Sequence, residues 1–273
     1  MEFKILCYNV LYGSHDQGPA PDFKTGEFRE DRLKAARKAV KKENPHILAI
    51  TEACFGEPNS TGKLMDYKSL FGYEYGAYVG YYGHWGNCLL SKYPIKKIDI
   101  LTLGRRRALR CHLDVGPNNT LTIDVVHFDT DIPDKERISI TAPLIRSVSG
   151  PYILTGDFNA LSDEDTYDRE RLVRGLRGYL KEKTEQEVDR SLQREFIPWL
   201  RAQGLKDGFE DRSKREFTFP TDFLYQDKSC AMRLDYFFLS KDIRVHDAYV
   251  VKNRFSNQAS DHYPICGKFV IWA

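Results

Sequence analysis

The sequence predicts an α/β (α+β) protein built as a layered sandwich. Three observations lead there. Apolar runs of strand length recur along most of the chain, longer segments with helical spacing stand beside them, and several of the runs end in an isolated polar residue. Phe3 to Val10 reads as the first strand. Arg29 to Glu43 reads as a helix, with Leu33, Ala36 and Val40 at helical spacing and Asn44-Pro45 ending it. Ile47 to Thr51 is a second buried strand, and the three make a βαβ unit. Tyr73 to Val79, Asn87 to Ser91, Ile95 to Leu101, Ala108 to Val115 and Thr120 to His127 follow as short strands, with Gly, Pro and Asn between them. Pro133 to Val148 is expected to be helical and Tyr152 to Thr155 a strand. Arg169 to Gln203 reads as charge-dense, mostly helical and largely a solvated face. Leu234 to Leu239, Ile243 to Val251 and Ile265 to Ile271 close the chain as strands. With no repeat, low-complexity tract or linker, residues 1–273 are expected to form one domain.

Composition narrows the class without naming it. Apolar residues make up 41% and aromatic residues 13%, which suits a folded protein with a sizeable core. The net charge of +2 neither demands nor excludes a nucleic-acid partner. No run is long enough to span a bilayer, and the opening residues lack the pattern of a signal peptide. Six scattered cysteines without a Cys-x-x-Cys read as reduced core residues, so a cytoplasmic location is expected. No obligate protein partner is evident.

The polar strand ends carry the chemistry. Asn9 ends the first strand, Glu52 the second, His127 the Leu121 to Val126 run, and Asp157 the Tyr152 to Gly156 run, with Asn159 beyond it. Asp157 and Asn159 stand two apart, so an extended backbone puts both on one side. Asp235 lies inside an otherwise apolar strand, and Ser260-Asp261-His262 precedes the last one. Singly, each has an ordinary explanation such as a turn or a cap. Asp235 is the exception, because a carboxylate in an apolar strand is costly unless paired. Hard oxygen donors favour Mg²⁺, or Mn²⁺ as a substitute. The chain has no phosphate-binding Gly-rich loop ending in Lys-Ser/Thr and no Gly-x-Ser-x-Gly elbow. Metal, carboxylates and imidazoles together suit phosphoester chemistry, with an Asp orienting or deprotonating the attacking water.

Asn9, Thr51-Glu52, Gly86-Asn87, His127, Gly156-Asp157-Phe158-Asn159, Arg233-Leu234-Asp235-Tyr236 and Ser260-Asp261-His262 stand in an order that resembles the endonuclease/exonuclease/phosphatase superfamily. The resemblance implies a four-layer sandwich, with two central, mostly antiparallel sheets packed face to face and helices outside. It implies Mg²⁺-dependent hydrolysis of a phosphoester by direct water attack. Glu52 would be the main metal ligand, with Asn9 and Asp261 near the same or a second ion. Asp157 would activate the water, and Asn159 and Asn87 would hold phosphate oxygens. His262 would contact the scissile phosphate, kept protonated by Asp235, and His127 would supply a second cationic or donor group. His127 stands where apurinic-site endonucleases carry tyrosine, Leu11 where they carry an acid, and Met232-Arg233-Leu234-Asp235 departs from the inositol-phosphatase motif.

Substrate clues are fewer. Arg105, Arg106, Arg107 and Arg110 form a concentrated basic run, read either as a phosphate contact through Arg107 and its neighbours or as a solvated strand end. Tyr78, Tyr81, Tyr82, His84 and Trp85 form an aromatic stretch suited to base stacking or to plain packing. Lys34, Arg37, Lys38, Lys41 and Lys42 on the first helix read as a solvated face away from any groove. The expectation is a phosphodiesterase acting on DNA or RNA. A phosphatase or phosphodiesterase for a small or lipid substrate, and an inactive binding protein of the same fold, are the alternatives.

Overall fold

Most strands of this chain are apolar on both faces, so each sheet needs cover on both sides. The computed structural model describes residues 1–14, 28–54, 66–82, 85–117, 119–209, 213, 215–223 and 228–272. One six-stranded sheet holds β1 (Glu2–Asn9), β2 (Ile47–Cys54), β3 (Tyr75–Tyr82), β4 (Trp85–Ser91), β11 (Ile243–Val250) and β12 (Ile265–Ile271), in the order β11-β12-β1-β2-β4-β3. A second holds β5 (Ile95–Leu103), β6 (Arg106–Asp114), β7 (Thr120–His127), β8 (Tyr152–Asp157), β9 (Lys206–Asp207) and β10 (Asp235–Leu239), in the order β5-β6-β7-β8-β10-β9. Within each sheet one neighbouring pair is parallel, β1 with β2 and β7 with β8, and the rest are antiparallel.

Side-chain alternation makes the layers. Phe3, Ile5 and Cys7 of β1 point to the centre, where they meet Leu109, Ile123, Val125 and Phe237 of the other sheet. Leu6 and Tyr8 point the other way, onto Leu33, Ala36 and Val40 of helix α1 (Glu30–Glu43). On the far side Val126, Leu154 and Phe238 pack against Leu144 of α3 (Asp134–Arg146) and Phe196, Ile197 and Leu200 of α6 (Phe196–Ala202). The result is the expected α+β sandwich, two mixed sheets inside and helices outside.

Local chemistry sets the ends of α1. Glu30 and Asp31 lie in its first turn and Lys41 and Lys42 in its last, each matching the helix dipole. Asn44 then takes a left-handed conformation (φ 46°) and returns its N–H to the Val40 carbonyl. A five-residue helix α2 (Tyr67–Phe71), absent from the sequence reading, is capped by Asp66, which accepts from the Ser69 N–H at 3.2 Å. The charged stretch 169–203 is three helices rather than one: α4 (Arg169–Leu180), α5 (Thr184–Ser191) and α6. It is less solvated than expected, because Leu172, Val173, Leu176 and Val188 bury one stripe beneath the charges. The six cysteines are buried and form no disulfide. No helix among the described residues is long and apolar enough to cross a membrane.

Arg110 is a correction to the basic run. Its guanidinium donates to both Asp124 oxygens at 2.7 Å and to the Leu144 carbonyl at 2.8 Å, with the Tyr152 hydroxyl donating to Asp124 at 2.8 Å. Both charged side chains are buried, so this is a strand-to-helix brace and not a phosphate contact. Arg110→Met would leave the Asp124 carboxylate buried without its partner. The expected cost is about 3–5 kcal/mol in urea unfolding, and an unchanged midpoint would show that the pair contributes nothing.

A second brace is pH-dependent. Burial pushes the Glu43 carboxyl up, but the Lys4 ammonium at 2.8 Å and the Tyr249 hydroxyl at 2.6 Å bring it below its ordinary value of 4.5. A carboxyl with a lowered folded pKa stabilises above the unfolded value and loses that contribution as pH falls through the folded one. Glu43→Gln is therefore expected to cost about 1 kcal/mol at pH 7. The gap between the two proteins should close as the pH drops below the ordinary value of 4.5, in denaturation measured across the acid range.

Candidate active site

The registers of the two sheets bring the polar strand ends to one edge. In the first sheet Asn9 pairs with Thr51, one residue before Glu52. In the second, His127 pairs with Asp157, and Asp157 with Asp235. Gly156 makes the approach feasible, since a Cβ at its φ of 144° would collide with the Val126 carbonyl oxygen of the next strand. Beyond it Phe158 turns into the outer aromatic cluster with Phe128, Phe196 and Phe238. The motif thus alternates between site and core. Glu52 lies in a bulge of β2 against β4, between Ile50 and Ala53, with a left-handed φ of 56°. Such a bulge re-aims a side chain, and left-handed backbone at a glutamate is strained.

Asn9 joins the two sheets. Its Nδ2 donates to Glu52 Oε1 and to Asp157 Oδ2, each at 3.1 Å, while its Oδ1 accepts the Leu11 N–H at 3.0 Å. It therefore presents nitrogen to the two carboxylates. Glu52 Oε2 accepts the Tyr12 N–H at 2.9 Å. Burial, then the charge of Asp261, push the Glu52 carboxyl up. Burial also pushes Asp157 up, to about 7, with His262 opposing and Asp235 adding to the rise.

His262 answers this negative charge. Its Nδ1 is 2.8 Å from Asp235 Oδ2 and its Nε2 is 3.8 Å from Asp157 Oδ2. Burial opposes the imidazolium, but Asp235 and Asp157 together hold its pKa well above the ordinary histidine value. Asp235 itself is positioned by Thr218, whose Oγ1 accepts the N–H of Leu234 at 3.0 Å and of Asp235 at 3.3 Å. Ser260 donates to the Asn9 carbonyl at 2.7 Å and contacts Asp261 Oδ1 at 3.2 Å, tying the last loop to the first strand.

His127 has the opposite character. Burial, then the nearby Arg106 and His262, push its pKa well below the ordinary value, so it is neutral rather than cationic. Tyr81, whose hydroxyl is 2.9 Å from His127 Nδ1, keeps its own proton because burial raises its pKa. Nε2 faces Asp157 at 3.6 Å and Glu52 at 3.9 Å. Two carboxylates favour a proton on that nitrogen, which assigns Nε2–H and makes His127 a donor into the site.

The asparagines and arginines divide differently from the sequence reading. Asn87 is fully buried and donates both Nδ2 hydrogens to backbone carbonyls of the opposite sheet, Arg107 at 2.9 Å and Val125 at 3.2 Å. No donor is left for a phosphate, so Asn87 clamps the sheets and is corrected as a substrate contact. Asn159 is half-exposed at φ 45°, its N–H on Asp157 Oδ1 at 3.0 Å and its Nδ2 on the Phe128 carbonyl at 2.8 Å. One Nδ2 hydrogen remains for a ligand. Arg105 pairs with Asp129 and Asp131, and Arg106 with Asp129 at 2.7 Å while lying 5.3 Å over the Tyr81 ring. Arg107 is exposed at the start of β6, without an ion pair among the described residues.

Of the aromatic stretch, Tyr81 is hydrogen-bonded to His127, Trp85 packs on Tyr12 at 4.1 Å, Tyr78 is exposed, and His84 lies outside the described residues. Spacing did not single out Tyr81, nor Arg32. Arg32 is buried on α1 and donates to the Leu11 and Ala259 carbonyls at 3.0 Å, bracing both site loops.

Asp157, Asp235 and His262 place one donor atom each within 4.8 Å of one another. The His262–Asp235 contact is already a hydrogen bond to a protonated ring, so an ion there would have to displace that proton. Glu52 and Asp261 are oxygen donors of the kind a divalent cation takes. Burial, with the charge of Asp261 added, raises the Glu52 carboxyl, and a nearby cation would oppose that rise.

A two-sheet sandwich with carboxylates and imidazoles gathered at one edge defines a class of phosphoester hydrolases. The chain belongs to the Endonuclease/Exonuclease/phosphatase family, whose model matches residues 6–262. Comparison with curated protein sequences gives no match. Among solved structures it is similar to an endonuclease/exonuclease/phosphatase from Bacteroides vulgatus, at 14% identity and a TM-score of 0.66 with all of each chain covered. It is also similar to the 3′ phosphatase NExo from Neisseria bound to a product DNA hairpin, at 18% identity and a TM-score of 0.63, covering 99% of this chain and 100% of that one. A humanised D. rerio TDP2 gives 15% identity and a TM-score of 0.63, covering 98% and 99%.

Asn9→Ala would remove the donor shared by Glu52 and Asp157. The expected effect is a fall in kcat/KM on bis-p-nitrophenyl phosphate of about 10- to 100-fold, with the far-UV circular dichroism retained. Unaltered kinetics would remove Asn9 from the site.

Proposed function

We propose that this chain is a single catalytic domain, a Mg²⁺-dependent phosphodiesterase that hydrolyses its ester by direct attack of water and acts on DNA or RNA. The observation that carries the reading is the triple contact at Asp157 Oδ2, which faces the Asn9 amide at 3.1 Å, His127 Nε2 at 3.6 Å and His262 Nε2 at 3.8 Å. A carboxylate so placed has its ionisation balanced by neighbours, as a group that accepts a proton from water requires. The family membership and a structural neighbour that is a 3′ phosphatase holding product DNA support the same chemistry.

On this reading the residues divide the work as follows. Asp157 orients the water and takes its proton at Oδ2. His262, charged through Asp235, donates from Nε2 to a phosphate oxygen, and His127 Nε2–H and the spare Asn159 amide hydrogen add donors beside it. Asn9 holds Glu52 and Asp157 at fixed separation. Glu52 and Asp261 would hold the Mg²⁺, or Mn²⁺ in its place. When bound, the ion supplies Lewis-acid neutralisation of charge on the phosphoryl oxygens.

Glu52→Gln, His262→Ala and EDTA should each lower hydrolysis of bis-p-nitrophenyl phosphate by about 10³-fold or more. Full activity of Glu52→Gln would sink the metal assignment. A small phosphoester is the second reading, favoured because Arg105, Arg106 and Arg110 are already engaged by carboxylates. Preference for p-nitrophenyl phosphate over the diester would select it. On the nucleic-acid reading, Arg107→Ala should weaken oligonucleotide binding and reduce the slope of log K against log salt by about 1. Unchanged binding would count against a nucleic-acid substrate.

A further inference from the structure

Lys34, Arg37, Lys38, Lys41 and Lys42 of α1 are solvent-exposed, as the sequence reading expects, but four of them also share one depression. Lys34, Arg37, Lys38 and Lys41, with Lys92 from just beyond β4, line one concave cavity of about 480 Å³. Its floor is apolar or aromatic, made by Val40, Pro45, Phe71 and Tyr73. None of the described residues that line it is a carboxylate. The chain as a whole carries a net charge of only +2, so five cations around one cavity are a local concentration.

Their spacing costs the helix stability. Lys34 and Lys38, and Arg37 and Lys41, are like charges four residues apart, a destabilising arrangement. Helix-dipole stabilisation accounts for Lys41 in the last turn and not for the earlier three. Lys34 meets Glu30 at 3.0 Å in an exposed pair, Lys38 lies 5.4 Å from the Phe255 ring, and Lys92 donates to Asn44 at 2.7 Å. Arg37 and Lys41 have no ion pair among the described residues.

We propose that this cavity binds a small organic polyphosphate, with two or more phosphoryl groups on the Lys/Arg rim and an apolar or aromatic group on the floor. The volume is that of a small-molecule pocket. The four helix cations span about 10 Å, a length matching two or three phosphoryl groups, whereas a nucleic-acid backbone calls for a longer track. The site is also separate from the catalytic edge. It sits at the Pro45 and Lys92 ends of β2 and β4, and Glu52 is at the other end of β2, about 20 Å along the strand.

The test is isothermal titration calorimetry in EDTA with inorganic pyrophosphate and with ADP, so that hydrolysis cannot contribute. Saturable binding of both is expected, tighter for ADP. Arg37→Gln with Lys41→Gln should weaken it about tenfold or more while leaving hydrolysis of bis-p-nitrophenyl phosphate unchanged. The same double variant, relieved of repulsion, should melt no lower than the parent in the absence of ligand. His262→Ala should bind both probes as the parent does, which separates this site from the catalytic one. Absence of binding up to about 1 mM, binding untouched by the double variant, or binding abolished by His262→Ala would overturn the proposal. So would binding confined to a single-stranded oligonucleotide or to phosphatidylserine vesicles.

Discussion

The Asn9 amide is the contact on which the site depends. It leaves the end of a strand in one sheet and donates to carboxylates from both, Glu52 beside it and Asp157 opposite. Without a shared donor, a buried and a half-buried carboxylate at such range repel each other and resist ionisation. With it, the separation of the two sheets at this edge is fixed by hydrogen bonds and not by packing alone. Asn87 does related work deeper in, holding carbonyls of the opposite sheet with both its hydrogens. Two asparagines from one sheet thus set the geometry of the other.

Charge is sorted around that contact. His262 is kept protonated by Asp235 and Asp157, and His127 is kept neutral by burial beside Arg106. The same residue type performs two roles because one ring has a carboxylate at hydrogen-bond distance and the other has a tyrosine hydroxyl. Burial acts on both in the same direction, so the partner decides the outcome. The strained backbone at Glu52 belongs to this arrangement, since a regular strand would turn its side chain away from the edge.

The arginines are sorted too. Arg105 and Arg106 are held by Asp129, and Arg110 is sealed under α3 by Asp124. A second group of cations, Lys34, Arg37, Lys38, Lys41 and Lys92, gathers around the cavity beside α1, at the far end of the sheet. A protein near neutral overall therefore carries an acidic edge at the candidate site and a basic cavity, separated by the length of a strand.

Much of this was legible in the residues. Period-two alternation and apolar runs place nearly every strand, and Thr120–His127 and Ile265–Ile271 begin and end where the pattern says. Polar residues at or beside strand ends pick out Glu52, His127, Asp157, Asp235 and His262, which the structure brings together at one edge, because a carboxylate or imidazole has no stable place in an apolar strand without a partner. The layers of the 169–203 segment were not legible, since abundant surface charge hides a narrow buried stripe. Nor was the protonation of either histidine, the engagement of Asn87, or the pairing of the arginine run. Those depend on which groups from distant parts of the chain lie within about 3–4 Å. The sequence by itself determined the inventory and the strands that carry it. Only the tertiary structure decided which nitrogen faces which oxygen, because hydrogen bonds and charge interactions are settled by distances that the register and facing of two sheets alone impose.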